Sequence, residues 1–129
     1  MYKLYTDGSC KGNPGPGGWA VITEHSVLVA GGRSPHTTNN EMELQAVLIA
    51  CQMASIGGHI LTDSNLIVGF VNRGNTCKAK NLLLLTRQIQ QAVLLKGLHL
   101  SHILKSSRIP QHVLADSEAK AFADKAKNV

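Results

Sequence analysis

The sequence predicts one α/β domain, built on a five-stranded mixed sheet of three antiparallel strands followed by parallel ones, with helices on both faces. Three observations point there. The first quarter carries short β-rich runs separated by turn formers, and the remainder alternates segments of helical period with two further apolar runs. No repeat or linker divides the 129 residues, a length suited to one domain with one core.

The elements follow in order. Residues 2–7 alternate as a strand, and residues 8–18, dense in Gly, Pro and Asn, read as a tight loop. Residues 19–24 and 27–32 are β-rich and joined by His25-Ser26, which makes them a hairpin. The period then changes. Across residues 40–53 the apolar positions Met42, Val47, Leu48, Ile49 and Met53 suit an amphipathic helix, capped by Asn39 or Asn40 and stopped by Gly57-Gly58. A strand over 59–62 precedes a helix over 64–71 with Ser64 as N-cap. Residues 74–80 form a polar loop, 81–95 a long helix, 98–104 a strand, 105–111 a loop with Pro110, and 113–127 a final helix. The order is therefore β-β-β-α-β-α-α-β-α, with sheet faces covered by helices.

Bulk properties narrow the function. A hydrophobic content of 43% without an apolar run of about 18 residues excludes a membrane span. The N-terminus, Met1-Tyr2-Lys3-Leu4-Tyr5-Thr6-Asp7, lacks the apolar stretch of a signal peptide. Three cysteines, Cys10, Cys51 and Cys77, with no C-x-x-C spacing, argue against a disulfide framework or zinc site and for a cytoplasmic location. A net charge of +5 suits a polyanionic partner. The chain has only eight acids, and if four of them shared one site a cation would be needed to reconcile them with phosphate.

Those four acids are Asp7, Glu43, Asp63 and Asp116. Asp7 and Asp63 are each expected at a strand end, where open α/β sheets gather ligands; adjacent parallel strands would bring them together. Each position alone also suits a turn or capping aspartate. Glu43 lies in the first turn of its helix, where any acid is favoured by the dipole. Glu41 is about 200° from Glu43 around the helix and is expected to face solvent. Asp116 is expected to open the last helix.

Three blocks now stand in order: Thr6-Asp7-Gly8-Ser9-Cys10-Lys11-Gly12-Asn13-Pro14-Gly15-Pro16-Gly17-Gly18, Thr38-Asn39-Asn40-Glu41-Met42-Glu43-Leu44 and Thr62-Asp63-Ser64-Asn65. Together they closely resemble type 1 ribonuclease H, and Ala115-Asp116-Ser117-Glu118-Ala119 is similar to that family's final aspartate block. The resemblance implies a ribonuclease H-like fold and a nuclease that cuts the RNA strand of RNA–DNA hybrids, leaving 5′-phosphate and 3′-hydroxyl ends. Asp7, Glu43, Asp63 and Asp116 would hold Mg²⁺ or Mn²⁺, two ions per site with substrate bound, lying about 4 Å apart; one activates water while the other stabilises the departing 3′ oxygen. Ser9, Cys10, Asn13, Asn39, Asn40 and Asn65 would read the hybrid's minor groove and its 2′-OH. Thr38, Lys80 and Asn81 would receive a DNA-strand phosphate at a helix N-terminus, with His36 where the family usually has arginine. A monomer is expected.

Two departures stand out. Many relatives insert a basic, tryptophan-containing handle where this chain has only Gly74-Asn75-Thr76-Cys77-Lys78-Ala79-Lys80, which implies weak, salt-sensitive binding. The family's loop histidine stands just before a proline, but Ile109 precedes Pro110 here; His112, four residues ahead of Asp116, can stand in for it or point to solvent. His99 and His102 are expected to be structural. Leu82 to Leu85 read as core, with a partner-binding face as the alternative. The alternatives to the enzyme are a hybrid-binding module, disfavoured because all four acids are present, and a DNA-cutting resolvase or transposase. The chain could also be the nuclease domain of a longer polyprotein.

Overall fold

The computed structural model describes residues 1–127. Its elements are β1 (Lys3–Cys10), β2 (Gly15–Thr23), β3 (Leu28–Thr37), α1 (Asn39–Met53), β4 (His59–Thr62), α2 (Asn65–Asn72), α3 (Lys80–Lys96), β5 (His99–His102) and α4 (Pro110–Ala126), with a 3₁₀ turn at Lys105–Ser107. The five strands form one sheet in the order β3-β2-β1-β4-β5. β1, β2 and β3 pair antiparallel, whereas β4 pairs parallel with both β1 and β5. This is the ribonuclease H-like mixed sheet that the sequence predicts.

Strand alternation divides the core between two faces. Leu4, Val21 and Ile60 pack into the larger cluster with Leu44, Val47, Ile67 and Ile89 from α1, α2 and α3. Their immediate neighbours Tyr5, Ile22 and Leu61 point the other way, against Ala115 of α4. Burial of each large aliphatic side chain contributes roughly 1.5–3 kcal/mol. Gly18 makes room on the α4 side, because a Cβ there would lie 2.5 Å from the carbonyl oxygen of Ala119.

Several boundaries move from their expected places. The Gly/Pro-rich loop is shorter than residues 8–18: β1 continues to Cys10, which pairs opposite Gly17, so pairing with β2 holds this stretch extended despite its turn-forming residues. β3 likewise runs on to Thr37, while β5 keeps only His99–His102. α1 is capped by Thr38, not by Asn39 or Asn40; its hydroxyl accepts from the Glu41 N–H. At the other end the carbonyls of Cys51, Gln52 and Ala54 accept from Lys96 Nζ at 3.0, 2.8 and 3.0 Å. That ammonium ends the helix where Gly57-Gly58 was expected to, and complements the negative end of its dipole. α4 begins at Pro110 because proline suits the first helical position, where no N–H is required. Leu82 and Leu85 of α3 join the core, but Leu84 is exposed. No helix among the described residues is long and apolar enough to cross a membrane.

Candidate active site

Asp7 lies within β1, with three more residues of the strand beyond it, so it is not the strand-end residue predicted. The β1–β4 register, Leu4 beside Ile60 and Tyr5 beside Leu61, brings Asp7 level with Asp63, which follows the last residue of β4. Parallel neighbours therefore deliver both acids to one place, as the sequence implied. Asp7 is 2% exposed, and its Oδ1 accepts from the Gly8 N–H at 3.0 Å.

Glu43 arrives from α1 because residue 8 has no side chain. A Cβ on Gly8 would stand 2.4 Å from the Glu43 nitrogen and 2.6 Å from the Met42 carbonyl carbon. α1 can thus press its backbone onto β1 and bury the Glu43 carboxyl against that of Asp7. Asp116 completes the group from α4. It sits well inside that helix, not at its opening, because the helix starts at Pro110. Its carboxylate is 3.0 Å from Lys120 Nζ, one turn on, and 3.6 Å from Lys105 Nζ. His112, on the same helix, is buried instead of solvent-facing, and its Nε2 lies 3.4 Å from Asp63 Oδ2. One ligand atom each from Asp7, Asp63 and His112 lie within 4.8 Å of one another.

The electrostatics are those of crowded acids. Burial, reinforced by the charges of Asp63 and Asp116, pushes the Asp7 carboxyl up from 3.8 to about 7. Burial and the neighbouring Asp7 raise Glu43 well above the usual carboxylate range. For Asp116 burial acts upward, but hydrogen bonds from Lys120 and Asp7 and the charge of Lys105 outweigh it and leave the group low. Burial lowers His112 despite the two aspartates near it. Asp7 Oδ2, Glu43 Oε2 and His112 Nε2 are buried without a hydrogen-bond partner. Two unpartnered carboxylate oxygens and a ring nitrogen, beside the further carboxylates of Asp63 and Asp116, form a donor set that fits a divalent cation.

The four acids open onto a cavity of about 300 Å³ lined also by Ser9, Cys10, Asn39, Ser64, Lys105 and Lys120, whereas His112 lines a neighbouring cavity with Arg108, Lys105 and Asp116. Ser9, Cys10 and Asn39 thus share one cavity with the acids. Burial raises the Cys10 thiol against the effect of nearby backbone groups, so it serves as a neutral polar contact. Asn13 braces the rim, its Oδ1 accepting from the Asn39 N–H at 2.8 Å. Asn40 is half-buried at the start of α1, while Asn65 stands outside the cavity wall and accepts from Arg73 at 3.2 Å. Glu41 does not simply face solvent. Its carboxylate accepts from Thr37 Oγ1 at 2.7 Å and from the Asn81 amide, so Asn81 is already engaged by an acid at the expected phosphate position. His102 Nε2 lies 3.1 Å from the Asp63 carbonyl oxygen and His99 stacks on His59, both at exposed positions on β5.

Sequence reasoning passed over Ser64 as a cavity residue, together with Lys105 and Lys120. Lys120 had a signal, its one-turn spacing from Asp116. Lys105 had none, since only folding of the loop after β5 brings it to the acids.

Comparison with known proteins agrees with this geometry. The model of the RNase H family matches residues 1–126. A ribonuclease H of Cyanothece sp. is 46% identical over 72 residues, covering 50% of this chain and 46% of that relative. One from Thermosynechococcus vestitus is 60% identical over 50 residues, covering 36% of this chain and 31% of its own length. The matched stretch thus spans less than half of either relative. Among solved structures, the N-terminal RNase H domain of Rv2228c from Mycobacterium tuberculosis aligns with TM-score 0.77 at 26% identity, covering 99% of this chain and 98% of that one. LC11-RNase H1, isolated from compost, aligns with TM-score 0.77 at 25% identity over 96% of each chain. With the family pattern running through all of β1 to α4 and the acids converging as the fold requires, the chain belongs to the RNase H family.

Proposed function

We propose that this chain is an endonuclease that hydrolyses the RNA strand of RNA–DNA hybrids, leaving 5′-phosphate and 3′-hydroxyl ends. The observation that carries the reading is the convergence of Asp7, Glu43, Asp63 and Asp116 around buried acceptors with no partner, at the floor of an open cleft. LC11-RNase H1, which shares the fold with TM-score 0.73 at 24% identity, has been crystallised with an RNA/DNA hybrid, which supports the choice of substrate.

Asp7, Glu43, Asp63 and Asp116 would hold Mg²⁺ or Mn²⁺, two ions with substrate present. Bound there, the ions neutralise the acids and supply Lewis acidity to the phosphodiester. The remaining groups orient the substrate. Ser9, Cys10 and Asn39 present short polar side chains to a minor groove, where the 2′-OH distinguishes RNA. Lys105 and Lys120 hold Asp116 ionised and offer positive charge to the phosphate backbone at the cleft. With no basic insertion between α2 and α3, affinity is weak and falls steeply with salt. The enzyme acts as a monomer in the cytoplasm, where its three free thiols stay reduced.

The test is cleavage of an end-labelled hybrid at low salt with Mg²⁺ or Mn²⁺, beside Asp63→Asn and matched duplex DNA. Metal-dependent cutting of the RNA strand alone, lost in the variant, is expected. Hybrid binding without cutting under either metal would replace the enzyme with a binding module. Cutting of duplex DNA would move it to a resolvase-like activity.

A further inference from the structure

We propose that His112 is itself a metal ligand, its Nε2 joining Asp7 and Asp63 in a mixed nitrogen–oxygen position that takes Mn²⁺ in preference to Mg²⁺. The inference deepens the hydrolase reading and rests on it for the cleft being a metal site.

The geometry is specific. His112 Nε2 faces Asp63 Oδ2 across 3.4 Å, close to the edge of roughly 3 Å between neighbouring ligands of an octahedral ion with bonds near 2.1 Å. Donor atoms of Asp7, Asp63 and His112 all fall within 4.8 Å of one another, the compass of one coordination sphere. The imidazole is 3% exposed, and Nε2 is buried without a hydrogen bond, although the Asp63 carboxylate is so near. A buried ring nitrogen left unpartnered is costly, and an ion between it and the two carboxylates removes that cost.

The backbone argues the same way. His112 lies in the first turn of α4, started by Pro110, and the His112 N–H donates to the Ile109 carbonyl at 2.9 Å. It stands one helical turn before Asp116, so both side chains leave the same face of α4, Asp116 lining the cleft and His112 buried against Asp63. A proton shuttle needs to reach the substrate directly or through a water; this ring is buried and does not line the cleft. Imidazole favours first-row transition ions, whereas Mg²⁺ prefers oxygen donors and retains its waters. Exchanging one oxygen for nitrogen therefore shifts selectivity toward Mn²⁺.

The experiment uses the intact chain with Mn²⁺ alone, at millimolar concentration. Pulsed electron paramagnetic resonance reads ¹⁴N coupling to the bound ion, and titration with Mg²⁺ competition gives both affinities, for wild type and His112→Asn. Wild type is expected to show directly bound ¹⁴N, absent in the variant, with Mn²⁺ affinity at least about tenfold weaker and Mg²⁺ affinity nearly unchanged. Bound Mn²⁺ without nitrogen coupling in wild type, or coupling that survives in His112→Asn, would overturn the assignment. The wild-type spectrum decides even when the variant fails to fold. Hybrid cleavage measured on the same preparation separates the two readings: cutting without ¹⁴N coupling removes only this inference, whereas neither Mn²⁺ binding nor cutting removes both.

Discussion

Replacing Asp7 by Asn should stabilise the metal-free protein while abolishing cleavage, because the site holds acids together at the expense of the fold. The folded Asp7 carboxyl titrates at about 7 against 3.8 for the ordinary group, with burial as the main cause. Its pKa is raised, so its contribution is most favourable below about pH 4, where both states are protonated. As pH rises the unfolded chain ionises first, and stability falls until the folded carboxyl also loses its proton near 7. At about 1.4 kcal/mol per pKa unit, the loss approaches 4 kcal/mol at pH 8 and stays below about 1 kcal/mol at pH 4. Asn cannot ionise and fills nearly the same space, so Asp7→Asn should gain about 2–4 kcal/mol at pH 8. For a domain of this size that is roughly 6–15 °C in Tm. The assay is thermal and urea unfolding of both proteins in EDTA at pH 4 and pH 8. Adding Mn²⁺ at pH 8 should then stabilise wild type and leave the variant nearly unmoved. An Asp7→Asn protein no more stable than wild type at pH 8, or one equally stabilised at both pH values, would refute the account of the site as electrostatic strain.

Gly8→Ala should lower cleavage at least about 100-fold, because α1 must retreat by roughly 1 Å and take Glu43 with it. Overpacking costs about 1–3 kcal/mol of stability besides, and full activity in a folded variant would show that Glu43 need not touch Asp7. Lys96→Met removes the ammonium from three carbonyls at the end of α1 and should cost about 2 kcal/mol, or roughly 6–10 °C in Tm, with activity per folded molecule unchanged. Calorimetry beside initial rates checks both halves, and an unaltered Tm would remove Lys96 as the cap. Glu41→Gln withdraws a negative charge from the Asn81 amide and should tighten hybrid binding about threefold to tenfold at low salt, with the gain vanishing near 0.5 M salt. Titration of a labelled hybrid at the two salt concentrations measures it; weaker binding would mean that Glu41 positions Asn81 for the phosphate.

Local patterning carried the order and type of every main element, since period-two and helical-period runs depend on the residues within them. Blocks around Asp7, Glu43 and Asp63 likewise carried the family. The ends of elements depend on partners that local sequence does not contain. β1 reaches Cys10 because β2 lies beside it, and α1 ends where Lys96 arrives from another helix. Proline's fixed φ was a local signal for the true start of α4, and reading it would have put His112 and Asp116 on one helix. What the sequence could not give was the touching of side chains from distant segments. Glu43 meets Asp7 because helix and strand close over Gly8; Lys105 reaches Asp116 through the fold of a loop; Glu41 engages Asn81 across two helices. The sequence by itself determined which acids the chain owns and where along it they stand. The tertiary structure decided which of them share buried space, because proximity and desolvation are set by packing between elements and not by the residues of any one of them.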